Sequence, residues 1–361
     1  LRARHALLTV KATDKAYIPH TSDSIIRIAL DYFGDKSHGL RSAESHYYMG
    51  RVNADLGNYP VALKGFHEAL QILADTEDSG PKALTLKGAA LSQQGQILID
   101  LRLFPEAIPF YREAIKVDSI LSDTINLFYD LRDIAFTYIQ QYKPDSAQMV
   151  LDRAMHTAAN LHPDFICEIH ELQALSDLRA KRYDRAATHL HRILQRRDTS
   201  DNSLTLSIIA RIYANTDRPD SAAHYARLLQ AKPFSANSFA GAHILAENAL
   251  RSGDLDTISL YYDKFTECAL RLPDEHSRKM NLPGHMFYRH MMAEIDNSKL
   301  KSSNNRLTTW LLCVALAASI CIITLLAILY RHSYLRQKAD ETIANLQHLV
   351  LKYSASSAEC D

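Results

Sequence analysis

A repeated spacing of small and apolar residues constrains the fold of this chain more than any other feature. Each copy begins with a Gly or Ala, and twelve positions later there is an Ala, except in the last and weakest copy. Four positions after that there is usually an aromatic or aliphatic residue. The copies recur about every 36 to 45 residues, which is typical of an array of stacked units. The clear copies are Gly50, Ala62, Phe66 and Ala69; Gly95, Ala107, Tyr111 and Ala114; Ala135, Ala147, Leu151 and Ala154; and Ala174, Ala186, Leu190 and Ile193; weaker ones start at Ala210 with Ala222, and at Ala246 with Ile258, Tyr262 and Phe265.

Proline placement supports the same register. Pro60, Pro105, Pro144 and Pro219 each lie two or three residues before the position that opens the second apolar stripe of a copy. Proline is tolerated in the first turn of a helix, where its missing N–H would be unpaired anyway. Each unit is therefore predicted to be helix, short turn, helix. Because a pair of short amphipathic helices cannot bury its apolar face alone, neighbouring pairs are expected to stack around one core.

The composition agrees with a helical chain and narrows the possible partners. Eleven glycines in 361 residues are about 3%, less than half of the usual share of roughly 7%, which argues against a turn-rich β-sandwich or barrel. The formal net charge is +0, from 41 basic and 41 acidic residues. Such a chain has no general attraction to phosphate backbones, and we expect no nucleic-acid partner.

One segment, residues 307–330, has the composition of a membrane span. It carries no charge between Arg306 and Arg331. At about 1.5 Å per residue its length matches a hydrocarbon core of roughly 30 Å. Trp310 and Tyr330 lie near its ends, where amphipathic rings favour the membrane interface. Three basic residues follow the segment closely and three precede it, so charge alone does not orient the span.

Residues with metal-binding or catalytic chemistry do not form a recognisable set. His162, Cys167 and His170 lie close in sequence, but no second pair at zinc-finger spacing follows them. No glycine-rich phosphate loop and no Gly-x-Ser-x-Gly sequence occurs. We therefore expect no enzyme activity, no metal and no cofactor. The five cysteines are too few and too scattered to predict a disulfide framework.

The repeat resembles the tetratricopeptide repeat (TPR), whose pattern also places small residues and an aromatic at these positions. The tryptophan expected in the first helix is replaced here, and the period exceeds the usual length of roughly 34 residues. Residues 14–33, with the repeat at 47–70, are also similar to bacterial membrane-anchored TPR proteins. That resemblance implies an exported, periplasmic array that follows a removed signal peptide, one transmembrane helix and a cytoplasmic tail.

The resulting expectation is an all-α protein: a TPR-like helix-turn-helix solenoid, a single transmembrane helix and a short helical tail. Its predicted parts are an irregular N-terminal helical pair (1–40), an array of about six repeats (41–270), a capping helix with juxtamembrane linker (271–306), the transmembrane helix (307–330) and a helical or coiled-coil tail (331–361).

Two functions remain open at this point. The first is a non-enzymatic, membrane-anchored scaffold that binds a peptide or protein on the concave face of the array, as the resemblance implies. The second is a single-pass signal transducer that couples an external sensor to a cytoplasmic partner through the tail. Cys313, Ala317 and Cys321 place a small residue at every fourth position of the span, which favours either a homodimer contact or ordinary lipid-facing sequence.

Overall fold

The computed structural model describes residues 1–35, 37, 39–76, 80–195, 202–232, 236–252, 255–278 and 284–358, and the chain divides into two compact units, Leu1–Phe287 and Tyr288–Asp361. No β-strand occurs in the described part of the chain, so the fold is all-α as expected. The helices are α1 (Arg2–Lys15), α2 (Ser24–Phe33), α3 (Leu40–Asp55), α4 (Tyr59–Asp75), α5 (Pro81–Asp100), α6 (Phe104–Leu121), α7 (Thr124–Gln140), α8 (Pro144–Ala158), α9 (Pro163–Arg179), α10 (Tyr183–Leu194), α11 (Ser203–Ala214), α12 (Pro219–Gln230), α13 (Ala236–Ser252), α14 (Leu255–Arg278) and α15 (Gly284–Ala358).

Helices α1 to α14 are arranged as consecutive helix-turn-helix pairs. The two helices of each pair contact each other, and the second helix of each pair also contacts the first helix of the next. Successive first helices, from α1 and α3 through to α11 and α13, touch as well. We call this row of odd-numbered helices the first-helix layer and the row of even-numbered helices the second-helix layer. Because its members approach each other more closely than successive second helices do, it forms the inner layer of the array.

The turn inside a pair has one recurring backbone form. Residues Gly57, Arg102, Tyr142, Lys181 and Asp217 each have a positive φ, between 52° and 71°, just after the first helix ends. In each turn the next backbone N–H donates to a carbonyl five residues earlier, at 2.8 to 3.2 Å. This is the Schellman arrangement, which satisfies the free carbonyls at a helix end. Four of the second helices then begin with proline at the first or second position, as the sequence pattern predicts.

Glycine and alanine make close packing between the two helices of a pair possible. A Cβ on Gly65 would lie 2.8 Å from the backbone nitrogen of Gly50, so the backbones of α3 and α4 meet there. A Cβ on Gly95 would lie 2.7 Å from the ring of Tyr111, which is 1% exposed. The small residue of the first helix thus makes room for the aromatic ring of the second.

The structure buries every position that the sequence pattern assigns to repeat packing, and these side chains form the interior between the two layers. They are Gly50, Ala62, Phe66, Ala69, Gly95, Ala107, Tyr111, Ala114, Ala135, Ala147, Ala154, Ala174, Ala186, Ala210 and Ala222.

The last and weakest copy differs from the pattern. Ala246 of α13 is buried, but Tyr262 of α14 is 59% exposed. Its neighbour Tyr261 packs instead against the core of α11, α12 and α13. A shift of one residue turns a helical side chain by about 100°, so the spacing rule fails where α14 is placed with a different rotation.

The expected span (307–330) and the later part of the expected linker (271–306) lie within one long helix, while residues 271–278 of that linker belong to α14. Residues 279–283 are outside the described part, and α15 is helical from Gly284 through Ala358. Within it, Ser303–Lys338 has a mean hydropathy of 2.9 in its most apolar window and is long and apolar enough to cross a membrane. Trp310 and Tyr330 are 63% and 75% exposed. The helical tail continues to Ala358; residues 359–361, and the side chains that would form a coiled-coil seam beyond Lys338, lie outside the described residues.

Candidate binding surface on the first-helix layer

Polar side chains connect one first helix to the next along the inner layer. Each pair joins residues 31 to 42 positions apart, which is about one repeat. Polar groups that are buried in part or in full are tolerated here because they satisfy one another. The contacts are Lys11 with Glu44 (2.8 Å), Arg51 with Asp14 (3.0 Å) and Gln93 (2.7 Å), Ser92 with Asp130 (2.8 Å), Arg132 with Glu168 (2.9 Å), and Glu171 with Thr205 and Asn202.

A cavity of about 360 Å³ opens between α7, α9 and α11 on this layer. Polar and apolar side chains share its lining, which is the usual character of a binding pocket. We call it the inner cavity. It is lined by Arg132, Asp133, Phe136, Glu168, Glu171, Leu172, Asn202 and Leu204.

The charged centre of the inner cavity is Arg132. Its Nε lies 2.8 Å from Asp133 Oδ1, and its Nη1 lies 2.9 Å from Glu168 Oε2. Its guanidinium carbon lies 4.7 Å from the centroid of the Tyr129 ring, within the range of a cation–π contact. Burial disfavours the charged form, but the charge of Asp133 and then the bonds to Glu168 and Asp133 outweigh it and raise the pKa of Arg132. Arg132 therefore stays charged and held in place.

The rest of the inner cavity is set by helix geometry. Asn202 caps α11 by accepting the N–H of Thr205 at 3.0 Å, while its side-chain nitrogen lies 3.4 Å from Glu171 Oε1. Phe136 lies one turn after Arg132 on α7. The inner cavity thus combines carboxylate oxygens, one guanidinium and an apolar wall.

A buried pair of carboxyl groups lies next to this layer, where α6 meets α7. Asp118 and Asp130 are 4% and 2% exposed, and Ser92 Oγ donates to Asp130 Oδ1 at 2.8 Å. Burial raises the pKa of Asp130 to about 8 and that of Asp118 to about 6. Near neutral pH the pair therefore holds a proton that an unfolded chain would release.

The histidines that suggested a metal site are placed differently. His170 of α9 lies beside His189 of α10, with 3.3 Å between the two Nδ1 atoms, and burial lowers the pKa of His189 to about 4. Cys167 is buried, and His162 caps the start of α9. Within the described residues, no three His, Cys, Asp or Glu side chains come together in a group that could hold a metal ion.

The residues of the inner cavity were not singled out by the sequence analysis. A signal for them exists, because Arg132 and Glu171 both lie three residues before the small residue of their repeat, Ala135 and Ala174. Each of these charged residues contacts the next first helix, Arg132 through Glu168 and Glu171 through Thr205. The repeat alone does not show whether these side chains point into the core or into a cavity.

Comparison with known proteins shows the fold. No family model matches the chain, and no curated protein does. The solved structure of apo RapI has 13% identity over 76% of this chain and 100% of its own, with a TM-score of 0.57. A Rap protein complexed with competence and sporulation factor has 14% identity over 81% of this chain and 86% of its own, with a TM-score of 0.52. NprR in complex with its cognate peptide NprX has 15% identity over 83% and 89%, with a TM-score of 0.50. The chain is therefore an all-α protein with a TPR-like solenoid and an apolar C-terminal helix.

Proposed function

We propose that this protein is a membrane-anchored interaction scaffold without enzyme activity, whose first-helix layer binds a peptide or protein segment. The observation that carries the proposal is the inner cavity, with its mixed lining from three successive first helices. A segment that crosses these helices would meet groups repeated at one-repeat intervals. The solved complexes of a Rap protein with competence and sporulation factor and of NprR with a cognate peptide support this reading of a similar fold.

The membrane anchor lies within the Ser303–Lys338 part of α15, in the uncharged stretch 307–330. None of its most apolar window is buried inside the protein. Side chains such as Leu316 and Ile323 are 64% and 65% exposed. A continuous apolar surface of this length is unstable in water, because each buried CH₂ would gain about 0.8 kcal/mol. A lipid bilayer supplies the missing cover, with the array proposed on the periplasmic side and the tail in the cytoplasm.

Partner binding is tested by photo-cross-linking in intact cells. A photoreactive phenylalanine analogue at Phe136 lies in the inner cavity, whereas the same analogue at Met149 lies 72% exposed on the second-helix layer. We expect a discrete cross-linked product from position 136 and none from position 149. Equal products from both positions, or none from position 136, would contradict binding at the inner layer.

The topology is tested by cysteine labelling in cells. In a chain without its five native cysteines, Met149→Cys reports on the array and Ser333→Cys on the tail, and both positions are exposed. An impermeant maleimide should label only position 149 until the cells are opened. Labelling of position 333 alone would show that the topology is the reverse of the one proposed. Labelling of both positions would contradict a membrane span between them.

A second candidate, the signal transducer, is favoured by the continuity of α15. One helix includes both the apolar segment and the tail as far as Ala358. A conformational change on the array side of the span would therefore be transmitted to the tail through continuous helix. Deletion of residues 331–361 should abolish the phenotype of a transducer and leave a scaffold unaffected. Ala317→Leu should weaken a homodimer formed through the small residues of the span, as a membrane two-hybrid assay would report.

A further inference from the structure

The buried carboxyl groups of Asp118 on α6 and Asp130 on α7 both face one turn of α5. A Cβ on Gly88 would lie 3.2 Å from Asp118 Oδ1. Ser92, one turn later on α5, has its Oγ 2.8 Å from Asp130 Oδ1 and 3.1 Å from the carbonyl oxygen of Gly88. The two carboxyl groups therefore lie where α5, α6 and α7 meet.

The two carboxyl groups also form a hydrogen bond with each other. Within the part of the chain that the structure describes, the Oδ2 atom of each is buried and meets no donor from another residue. An ionised carboxylate has no hydrogen to donate, so a hydrogen bond between two carboxyl groups requires a proton on one of them. The geometry of the pair therefore needs one proton. Burial also raises the pKa of both groups, which agrees with a retained proton.

The groups around the pair do not replace this proton. Asp123, in the turn between α6 and α7, and Asp133, one turn further along α7, both add negative charge near the pair. From α5 the pair meets the neutral hydroxyl of Ser92. Arg132 on α7 binds Asp133 and Glu168 instead. Loss of the proton would thus leave two like charges together in a buried place.

Asp118 also takes part in the backbone turn between α6 and α7. Its carbonyl accepts the N–H of Asp123 at 2.9 Å, and Ser122 has a positive φ of 56°. Asp123 then caps α7 by accepting the N–H of Asn126 at 3.1 Å. We call residues 118–127 the α6–α7 junction. Because Asp118 belongs both to the carboxyl pair and to the junction, repulsion within the pair acts directly on the junction.

We propose that the proton shared by Asp118 and Asp130 keeps the α6–α7 junction closed on α5. With the proton in place, the two carboxyl groups attract each other through a hydrogen bond. Without it, two carboxylates repel each other and the junction opens more often. Because α7 also supplies Arg132 and Phe136 to the inner cavity, each opening disturbs one wall of that cavity. The junction is thus a local device that loosens as the pH rises.

The test is hydrogen–deuterium exchange of the full-length protein in detergent, measured by mass spectrometry between about pH 6 and about pH 9. The readout is protection, which is the exchange rate of an unstructured peptide divided by the measured rate at the same pH. The reference is the turn between α7 and α8, where the N–H of Lys143 donates to the carbonyl of Tyr138 at 3.0 Å. The two turns share one backbone form, so they differ in the carboxyl pair.

We expect the protection of the α6–α7 junction to fall about tenfold per pH unit between about pH 6 and about pH 8, because opening then releases one proton. Above about pH 8 the fall should stop. The turn between α7 and α8 opens independently, so its protection should stay constant. Asp130→Asn places an amide where the protonated carboxyl lies, and this amide can still donate to Asp118. Protection of the junction in this variant should therefore not depend on pH.

Two further variants complete the test. Asp118→Asn should have the same effect as Asp130→Asn, because either amide supplies the missing hydrogen. Asp152→Asn changes the same type of residue on the exposed surface of α8 and should keep the pH dependence of the wild type. The comparison of the two turns in the wild type gives a result even if neither variant of the pair folds.

Three results would overturn the proposal. The first is a wild-type junction whose protection does not depend on pH, and the second is a wild-type dependence that persists in both asparagine variants of the pair. The third is a parallel loss of protection at both turns, since the pH would then act on the whole array and not on the α6–α7 junction.

Discussion

Large apolar side chains are buried in the array but exposed in the apolar part of α15. Phe66, between α3 and α4, is fully buried, whereas Leu325 of α15 is 58% exposed. The array covers its apolar residues with neighbouring helices at close range. None of the most apolar window of α15 is buried, although its composition is more apolar. Apolar side chains in this protein are thus buried where helices pair in the repeat. The apolar part of α15 lies outside the repeat, and its proposed cover is the lipid bilayer.

The largest expected difference comes from truncating one apolar side chain in each region. Phe66→Ala should lower the unfolding free energy of the array by about 3–5 kcal/mol, because it empties a buried site next to Gly50. Leu325→Ala should leave array unfolding unchanged. Urea unfolding of the full chain in detergent, followed by circular dichroism, measures both. Similar shifts for the two variants would contradict the contrast.

A charge in the apolar part of α15 should have nearly as large an effect on membrane insertion. Leu316→Arg places a cation near the middle of the Ser303–Lys338 segment, at a cost of about 2.5–3.5 kcal/mol. The protein should then shift from the membrane fraction toward the soluble fraction or be degraded. Met149→Arg, on the exposed surface of α8, serves as the control and should not alter fractionation. An unaltered Leu316→Arg protein would mean that lipid does not cover this surface.

A smaller effect per pH unit should distinguish the array by the pH dependence of its stability up to about pH 8. The folded pKa values of Asp118 and Asp130, about 6 and about 8, exceed the ordinary value of about 3.9. Their contribution to stability is complete below about pH 4 and is lost as the pH rises toward about 8. Between about pH 6 and pH 8, where Asp130 alone stays protonated in the folded chain, the unfolding free energy should fall by about 1.4 kcal/mol per pH unit. Asp130→Asn should flatten the slope; an unchanged slope would mean that the carboxyl pair is not the cause.

His189 should produce a dependence of the opposite sign on the acid side. Burial, and then His170, lowers its folded pKa to about 4, below the ordinary value of about 6.5. Its contribution is present above about pH 6.5 and is lost as the pH falls toward about 4. His189→Gln should reduce the loss of stability in that interval, as thermal unfolding at several pH values would show. The apolar part of α15 should show neither dependence.

The sequence predicted the all-α solenoid because its signals are local and repeated. Ala62 and Ala107 occupy equivalent places in successive units, and Pro60 and Pro105 mark the same helix starts. Six imperfect copies reinforce one another, so errors in one copy matter little. The apolar C-terminal helix was predicted equally clearly, because a long apolar stretch without charges can be recognised without knowledge of tertiary contacts.

Other features depend on three-dimensional placement and could not be predicted. Gly65 is needed because the backbone of α3 approaches α4 there, yet it holds no fixed place in the repeat. The turns at Arg102 and Tyr142 have a positive φ, although these residue types do not favour it. The packing of the two helices of a pair against each other therefore overrides the backbone preference of the turn residue. The inner cavity depends on the rotation of three helices, which the pattern does not specify.

The most direct test of the contrast uses Trp310, the single tryptophan of the chain, which lies at one end of the apolar segment. The full-length protein is reconstituted in vesicles whose lipids carry bromine at a chosen depth, and tryptophan fluorescence is measured with acrylamide as the aqueous quencher. If lipid covers this helix, bromines near the headgroup should quench Trp310 strongly and acrylamide only weakly. Strong quenching by acrylamide without quenching by any brominated lipid would contradict a membrane-inserted α15.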